Sequence, residues 1–227
     1  MKRILIHVCG LTVTWLSWFW LSANNLELSW QWVIAVGGVL LLLPILYLAR
    51  KILDQQPTLA RAEQTTVVVH YLIAILMGSA AIAAVQASTK SPGWLVPLPP
   101  WIGIGLMGIS GCIILAVVVS LAIRGLAAPF AIAQTRTLVS DLFYAWTRNP
   151  MVLSALAFLV GVGLWLRSGV LIAWLLVVLS PAVLAFLQIY EERELEIRFG
   201  EEYRAYRERV PMFWPRSPRQ QEGDKKS

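Results

Sequence analysis

Two short segments of this sequence combine residue types that can hold a charged small molecule. The first is Tyr144-Ala145-Trp146-Thr147-Arg148-Asn149-Pro150-Met151. Proline at the first position of a helix forfeits no hydrogen bond, and Asn149 before it can cap the orphan amides. Arg148 beside such amides makes an anion site. The second segment starts at Glu191-Glu192 and continues through Leu195, Phe199-Gly200, Tyr203, Tyr206 and Val210-Pro211. Two adjacent carboxylates can receive a cation or the hydroxyls of a ribose. Each segment also has a plain structural reading, which leads when the segment is taken alone. Arg148-Asn149-Pro150 would be a membrane-edge anchor with a cap. The acidic run would be a solvated helix face, with Glu194 and Arg198 paired at i,i+4.

The elements that must position these residues are set by composition. The chain has 227 residues, of which 58% are hydrophobic and 14% charged. Soluble domains carry about 25% charged residues. The charges are also segregated: between Ile4 and Ala49 only Glu27 is charged. Apolar runs of about 20 residues can cross a bilayer as helices. Residues 4–23, 28–49, 66–87 and 101–123 are four such runs. A longer region, 151–189, is interrupted at Arg167-Ser168-Gly169, a polar pair followed by a helix breaker. It reads as a helical hairpin with arms 151–166 and 170–189, the first arm short for a full span. The fold class expected is all-α: a polytopic membrane bundle of about six passes, since every backbone amide in hydrocarbon must pair within its own segment. Residues 190–209 read as a cytosolic amphipathic helix bent at Gly200. Three parts follow: membrane helices in 1–123, a region of link, hairpin and C-terminal helix in 124–215, and a disordered tail in 216–227.

Orientation follows from lysine and arginine. With the N-terminus inside, only Lys90 and Arg167 of the 19 basic residues fall outside. The chain is therefore expected as N-in and C-in, in a bacterial inner (cytoplasmic) membrane, with both motif segments on the cytosolic face. The net charge of +6 is then a topology signal, and nucleic acid is not an expected partner. Met1-Lys2-Arg3 before an apolar run also allows a signal peptide, although the run is long and rich in tryptophan for one. Cys9 and Cys112 read as small core residues, with no disulfide or metal pattern. Gly103, Gly105, Gly108 and Gly111 read as a close-packing helix face, and a cofactor contact there stays open. His70 reads as an interfacial or packing residue.

Together and in order, the two segments resemble the isoprenylcysteine carboxyl methyltransferase and phospholipid N-methyltransferase group of membrane enzymes. That pattern is an aromatic residue, Arg-His/Asn-Pro, an apolar hairpin, Glu-Glu-x-x-Leu, Phe-Gly-x-x-Tyr-x-x-Tyr and Val-Pro. Here it is met by Tyr144, Arg148-Asn149-Pro150, Glu191-Glu192, Leu195, Phe199-Gly200, Tyr203, Tyr206 and Val210-Pro211. The resemblance covers about 124–215; the first three spans match nothing in it. It implies a membrane methyltransferase that binds S-adenosylmethionine through Tyr144, Arg148, Asn149, Glu191, Glu192, Tyr203 and Tyr206. It implies a lipophilic or lipid acceptor drawn from the bilayer, and no metal. The sequence departs from the pattern at Val152-Leu153-Ser154, where the family often has Tyr-x-Gly. It departs again at Ser140-Asp141-Leu142 and in having Asn149 rather than histidine. These changes put the acceptor in doubt more than the cofactor. A nicotinamide-dependent reductase of the steroid-reductase type, or an inactive scaffold of the same fold, is the alternative reading.

Overall fold

The computed structural model describes residues 2–91, 93–123 and 138–216. Most of the expected link and the tail beyond residue 216 lie outside the described residues. The helices are α1 (Lys2–Ala23), α2 (Leu28–Leu40), α3 (Leu42–Gln55), α4 (Leu59–Lys90), α5 (Pro100–Ile123), α6 (Pro150–Trp165), α7 (Gly169–Trp174), α8 (Ser180–Phe186) and α9 (Glu192–Arg209). Two π turns, Leu175–Leu179 and Leu187–Glu191, join α7, α8 and α9 into one rod. Five helical stretches are long and apolar enough to cross a membrane, so the chain is an all-helical, polytopic membrane bundle. The sixth, α6, has 16 residues, about 24 Å at 1.5 Å per residue, against about 30 Å of hydrocarbon.

The helices differ from the apolar runs where a local interaction outweighs hydropathy. The run 28–49 is divided at Leu41, because Pro44 supplies no amide to the Leu40 carbonyl. α4 starts at Leu59, before the apolar run, because the Thr58 side chain accepts a hydrogen bond from the Arg61 amide at 3.3 Å. Its first turns therefore carry charge. The hairpin turns within the expected Arg167-Ser168-Gly169, with Arg167 at φ 53°. The Arg167 amide bonds the Leu164 carbonyl, and the Ser168 amide bonds that of Gly163 at 2.9 Å. This is a left-handed helix stop with arginine in the place glycine usually takes. Ser168 then caps α7 by accepting from the Leu171 amide at 3.2 Å. Gly169 is required for another reason: a Cβ there would collide with the Trp94 ring.

Contacts fix the direction of each pass. α1 runs parallel to α4, touching it from His7–Tyr71 through Trp18–Ala74 to Leu21–Gln86. α2 and α3 run back along α4, with Gln31 against Gln86 at one end. At the other end Asp54 meets Arg193 of α9. One face thus gathers the start of α1, the α3–α4 turn, Arg148 and α9. Lys90, Trp94 and the hairpin tip share the opposite face. The core lies where α2, α3 and α4 meet the rod, with Leu42, Leu46, Ala80, Ala84, Leu175 and Leu187 among its buried residues. α5 packs on α6 through Gly103 and Gly161, where a Cβ on Gly103 would strike the Trp165 backbone. Gly105 and Gly108 meet no described atom, so the close-packing reading holds for Gly103 and fails for those two. Cys9 and Cys112 are exposed and not in the core: a small apolar side chain facing lipid forgoes nothing a bilayer would not return.

Candidate functional site

The site is built where residues 142–150 meet the end of the rod. A 3₁₀ turn, Leu142–Ala145, leads into Trp146 and Arg148. The segment after α9 returns antiparallel to it. The Arg148 amide donates to the Pro211 carbonyl at 2.9 Å, and the Arg216 amide to that of Trp146 at 3.1 Å. The Thr147 hydroxyl and the Asn149 side-chain amide both donate to the Met212 carbonyl, at 2.8 Å and 3.3 Å. Asn149 was expected to cap α6, but its side chain makes no cap hydrogen bond. The side chain turns to the Met212 carbonyl instead. Val210-Pro211 has a physical role in this arrangement: it ends α9 and starts the segment that pins the Arg148 backbone.

Gly200 brings the tyrosines back over Arg148. Its backbone, at φ 54° and ψ −127°, breaks α9. Beyond the bend, Tyr203, Tyr206 and Val210 bury themselves against Leu138, Leu195 and Phe199. The Tyr206 hydroxyl donates to the Tyr144 carbonyl at 2.7 Å. Arg148 Nη1 donates to Glu192 Oε1 at 2.6 Å and to the Tyr203 hydroxyl at 3.3 Å. The Arg148 and Glu192 side chains are 12% and 20% exposed, so the pair is mostly shielded from water. Arg148 Nε is buried with no partner. One edge of the guanidinium is therefore in use and the Nε edge is not.

The apolar part of the rod ends at Ile189, and the charged residues from Glu191 on lie beyond it. Glu191 is half-buried. Burial first, and then the charges of Glu194 and Glu192, push its carboxyl up to about 8, against the pull of Arg148. Tyr144 lies near enough to feel Glu191: burial, and that charge second, raise its phenol to about 12. The structure thus gathers Tyr144, Arg148, Asn149, Glu191, Glu192, Tyr203 and Tyr206 into one cluster. Arg148, Glu192 and Tyr203 touch through their side chains. Tyr206 and Asn149 are committed to backbone carbonyls.

Sequence reasoning missed three partners. Glu194 and Arg198 are not a solvated pair: bonded at 3.0 Å, their side chains are 5% and 8% exposed. Glu194 is buried beside Tyr190, whose hydroxyl meets the Thr66 hydroxyl of α4 at 2.9 Å. Burial raises the Glu194 carboxyl above its usual range. The four-residue spacing from Tyr190 to Glu194 to Arg198 was the available signal, since it continues the buried face of Phe186. His70, on the same side of α4, bonds the Thr66 carbonyl and packs edge-on against Phe186. The third partner is Arg207, whose Nη1 reaches Glu192 Oε2 at 3.7 Å across the bend.

The raised Glu191 carboxyl gives a pH signature. The folded chain keeps this proton up to about pH 8, whereas the unfolded chain releases it near the ordinary value of about 4.3. The folded state binds more protons in that window, so this residue's contribution to stability falls as pH rises through it. Glu191→Gln removes the loss. Its melting temperature in detergent is expected to gain on wild type from pH 5 to pH 8 and to gain no more above that. A gap that stays constant with pH would show that the carboxyl is not raised.

Residues 98–202 match the family model described as phospholipid methyltransferase. No curated protein matches the chain, and no solved structure does. The matched stretch runs from just before α5 past the bend at Gly200. It includes Tyr144, Arg148-Asn149-Pro150, the hairpin and Glu191-Glu192, and it leaves out α1 to α4. Through residues 98–202, this membrane protein carries the sequence pattern of the phospholipid methyltransferase family, one of the two groups its ordered motifs resemble.

Proposed function

We infer that this chain binds S-adenosylmethionine and transfers its methyl group to a lipophilic or membrane-embedded acceptor. The acceptor class is a carboxylate, thiol or amine of a lipid-like molecule. The observation that carries the reading is the unpaired, buried Nε of Arg148 within the family-matched stretch. A buried unpaired donor is costly, and a planar guanidinium edge suits a carboxylate. The carboxylate of the cofactor fits that edge. Glu191 would hold the cofactor's ammonium or its ribose hydroxyls, and ionising for that purpose would release a proton. Tyr203, fixed against Arg148, and Tyr144 would line the same space. When bound, the cofactor supplies a methyl group on a positively charged sulfur. The protein's part is to align the acceptor with that methyl and exclude water, the usual source of rate in such transfers. Residues 124–215 carry this chemistry in our reading, with the first four spans as its support.

Calorimetric titration of the purified protein in detergent tests the reading directly. Heat of binding with S-adenosylmethionine and none with NADPH is expected. The reverse result would make the chain a nicotinamide-dependent reductase.

The same reading puts the face that bears Arg148 in the cytosol, where the cofactor is made, with both ends of the chain inside. The test is cysteine labelling in intact cells, with Cys9 and Cys112 first replaced by alanine. Cysteines at Ser22 and Ser91 should react with an impermeant reagent, and one at Glu208 only after lysis. Labelling at position 208 in intact cells would invert the topology.

A further inference from the structure

The Arg148–Glu192 pair is the end of a longer alternating chain of charges. Arg50 Nε and Arg193 Nε each lie 2.8 Å from Asp54, one on each carboxylate oxygen. Arg193 Nη1 and Arg207 Nη1 flank Glu196, at 3.5 Å and 2.6 Å. Arg207 and Arg148 flank Glu192, at 3.7 Å and 2.6 Å. Every carboxylate of the chain therefore sits between two guanidiniums. At its start, Arg50 Nη1 also donates to the Ile189 carbonyl at 3.0 Å, in the π turn just ahead of Glu192. π turns leave backbone carbonyls poorly paired and recur at functional sites. Here α3 supplies a side-chain donor to one of them.

An isolated exposed ion pair contributes little, but a network with shared partners holds its members in place. Side-chain exposure is 44% at Asp54, 25% at Arg193, 16% at Glu196, 38% at Arg207, 20% at Glu192 and 12% at Arg148, so the Arg148 end is the most shielded. The outer pairs are wet and adjustable, and the inner pair is fixed. Arg50 and Asp54 also lie outside the family-matched residues 98–202. We propose that Arg50 and Asp54 of α3 are positioning residues for the Arg148–Glu192 site, acting through Arg193, Glu196 and Arg207. The proposal rests on the cofactor reading above for its ligand. It gives the N-terminal spans a role in that site beyond anchoring.

The test is a double-mutant cycle on the full chain in detergent, with Asp54→Asn, Glu192→Gln and both together. Asp54 is at the surface, so its replacement leaves the core untouched. S-adenosylmethionine affinity should fall about three- to tenfold in Asp54→Asn. In the Glu192→Gln background the same change should cost nothing further. Asp54→Glu should restore most of the affinity, and Arg61→Ala, on the same face but outside the chain of charges, should have no effect. Wild-type affinity in Asp54→Asn, or losses that multiply in the double variant, would overturn the proposal. The melting temperatures of the four ligand-free proteins form a second cycle. If wild type binds no S-adenosylmethionine, the cofactor reading fails on its own. The ligand-free cycle then decides whether the charges act as a unit: additive shifts refute it and non-additive shifts support it.

Discussion

Arg148→Ala should weaken S-adenosylmethionine binding roughly ten- to a hundredfold while the protein stays folded. The side chain makes one strong contact, to Glu192 at 2.6 Å, and a longer one to the Tyr203 hydroxyl. Its backbone is held independently through Pro211, and its neighbours through Met212 and Arg216. Truncation therefore removes the guanidinium without freeing the segment. Losing a charged hydrogen-bonding partner from a shielded site costs about 1.5–3 kcal/mol, which sets the expected range. Arg148→Lys separates charge from geometry. Lysine keeps the positive charge and can still approach Glu192, but it lacks the planar Nε edge. It should recover stability and leave affinity close to that of the alanine variant. Calorimetry on wild type and both variants reads the result. Equal binding by all three would make Arg148 a topology anchor and move the cofactor assignment toward Tyr144 and Glu191.

Gly200→Ala should do comparable damage from a position that touches nothing. A Cβ at Gly200 would meet no atom within 4 Å, so packing does not oppose the change. The backbone does. At φ 54° and ψ −127° the residue lies in a region that L side chains avoid, and far from the left-handed helical basin that asparagine tolerates. Holding alanine there costs on the order of 1–3 kcal/mol. Straightening α9 avoids that cost but undoes the site. On an unbroken helix Glu192 and Arg207 would stand about 22 Å apart at 1.5 Å per residue, whereas here they are 3.7 Å apart. Tyr203 would leave Arg148, and Tyr206 would leave the Tyr144 carbonyl. Either outcome should abolish measurable cofactor binding, lower the melting temperature by several degrees and expose the end of α9 to protease. Gly200→Asn should behave like alanine. A variant with wild-type protease resistance and affinity would mean that the bend is incidental.

Much of this architecture was legible in the residues because a bilayer leaves few choices. The segregation of charge and the runs of about 20 apolar residues required helical passes, since hydrocarbon offers the backbone no other partner. The shortness of α6 and the bend at Gly200 could be read for the same kind of reason, from span length and from a glycine within a charged helix. The proline at the start of α6 and the ordered motifs also marked the two segments that meet at the candidate site, and residues 98–202 match the family model described as phospholipid methyltransferase. What could not be read was who pairs with whom across the chain. Arg148 meets Glu192, and not Glu191, because the periodicity of the rod turns Tyr190 and Glu194 to α4 and leaves Glu192 on the other side. Asn149 had a cap role by local rules, yet its side chain instead donates to the Met212 carbonyl of the returning segment. Arg167 took the left-handed position at the tip, while Gly169, two residues on, sits where Trp94 closes on the backbone. The link from Asp54 to Arg193 joins residues with no local signal between them. Local sequence determined helices, ends and bends, which are interactions over a few residues. Tertiary packing decided which charged groups share a low-dielectric space, and that choice brings Arg148, Glu191 and Glu192 together as a candidate site.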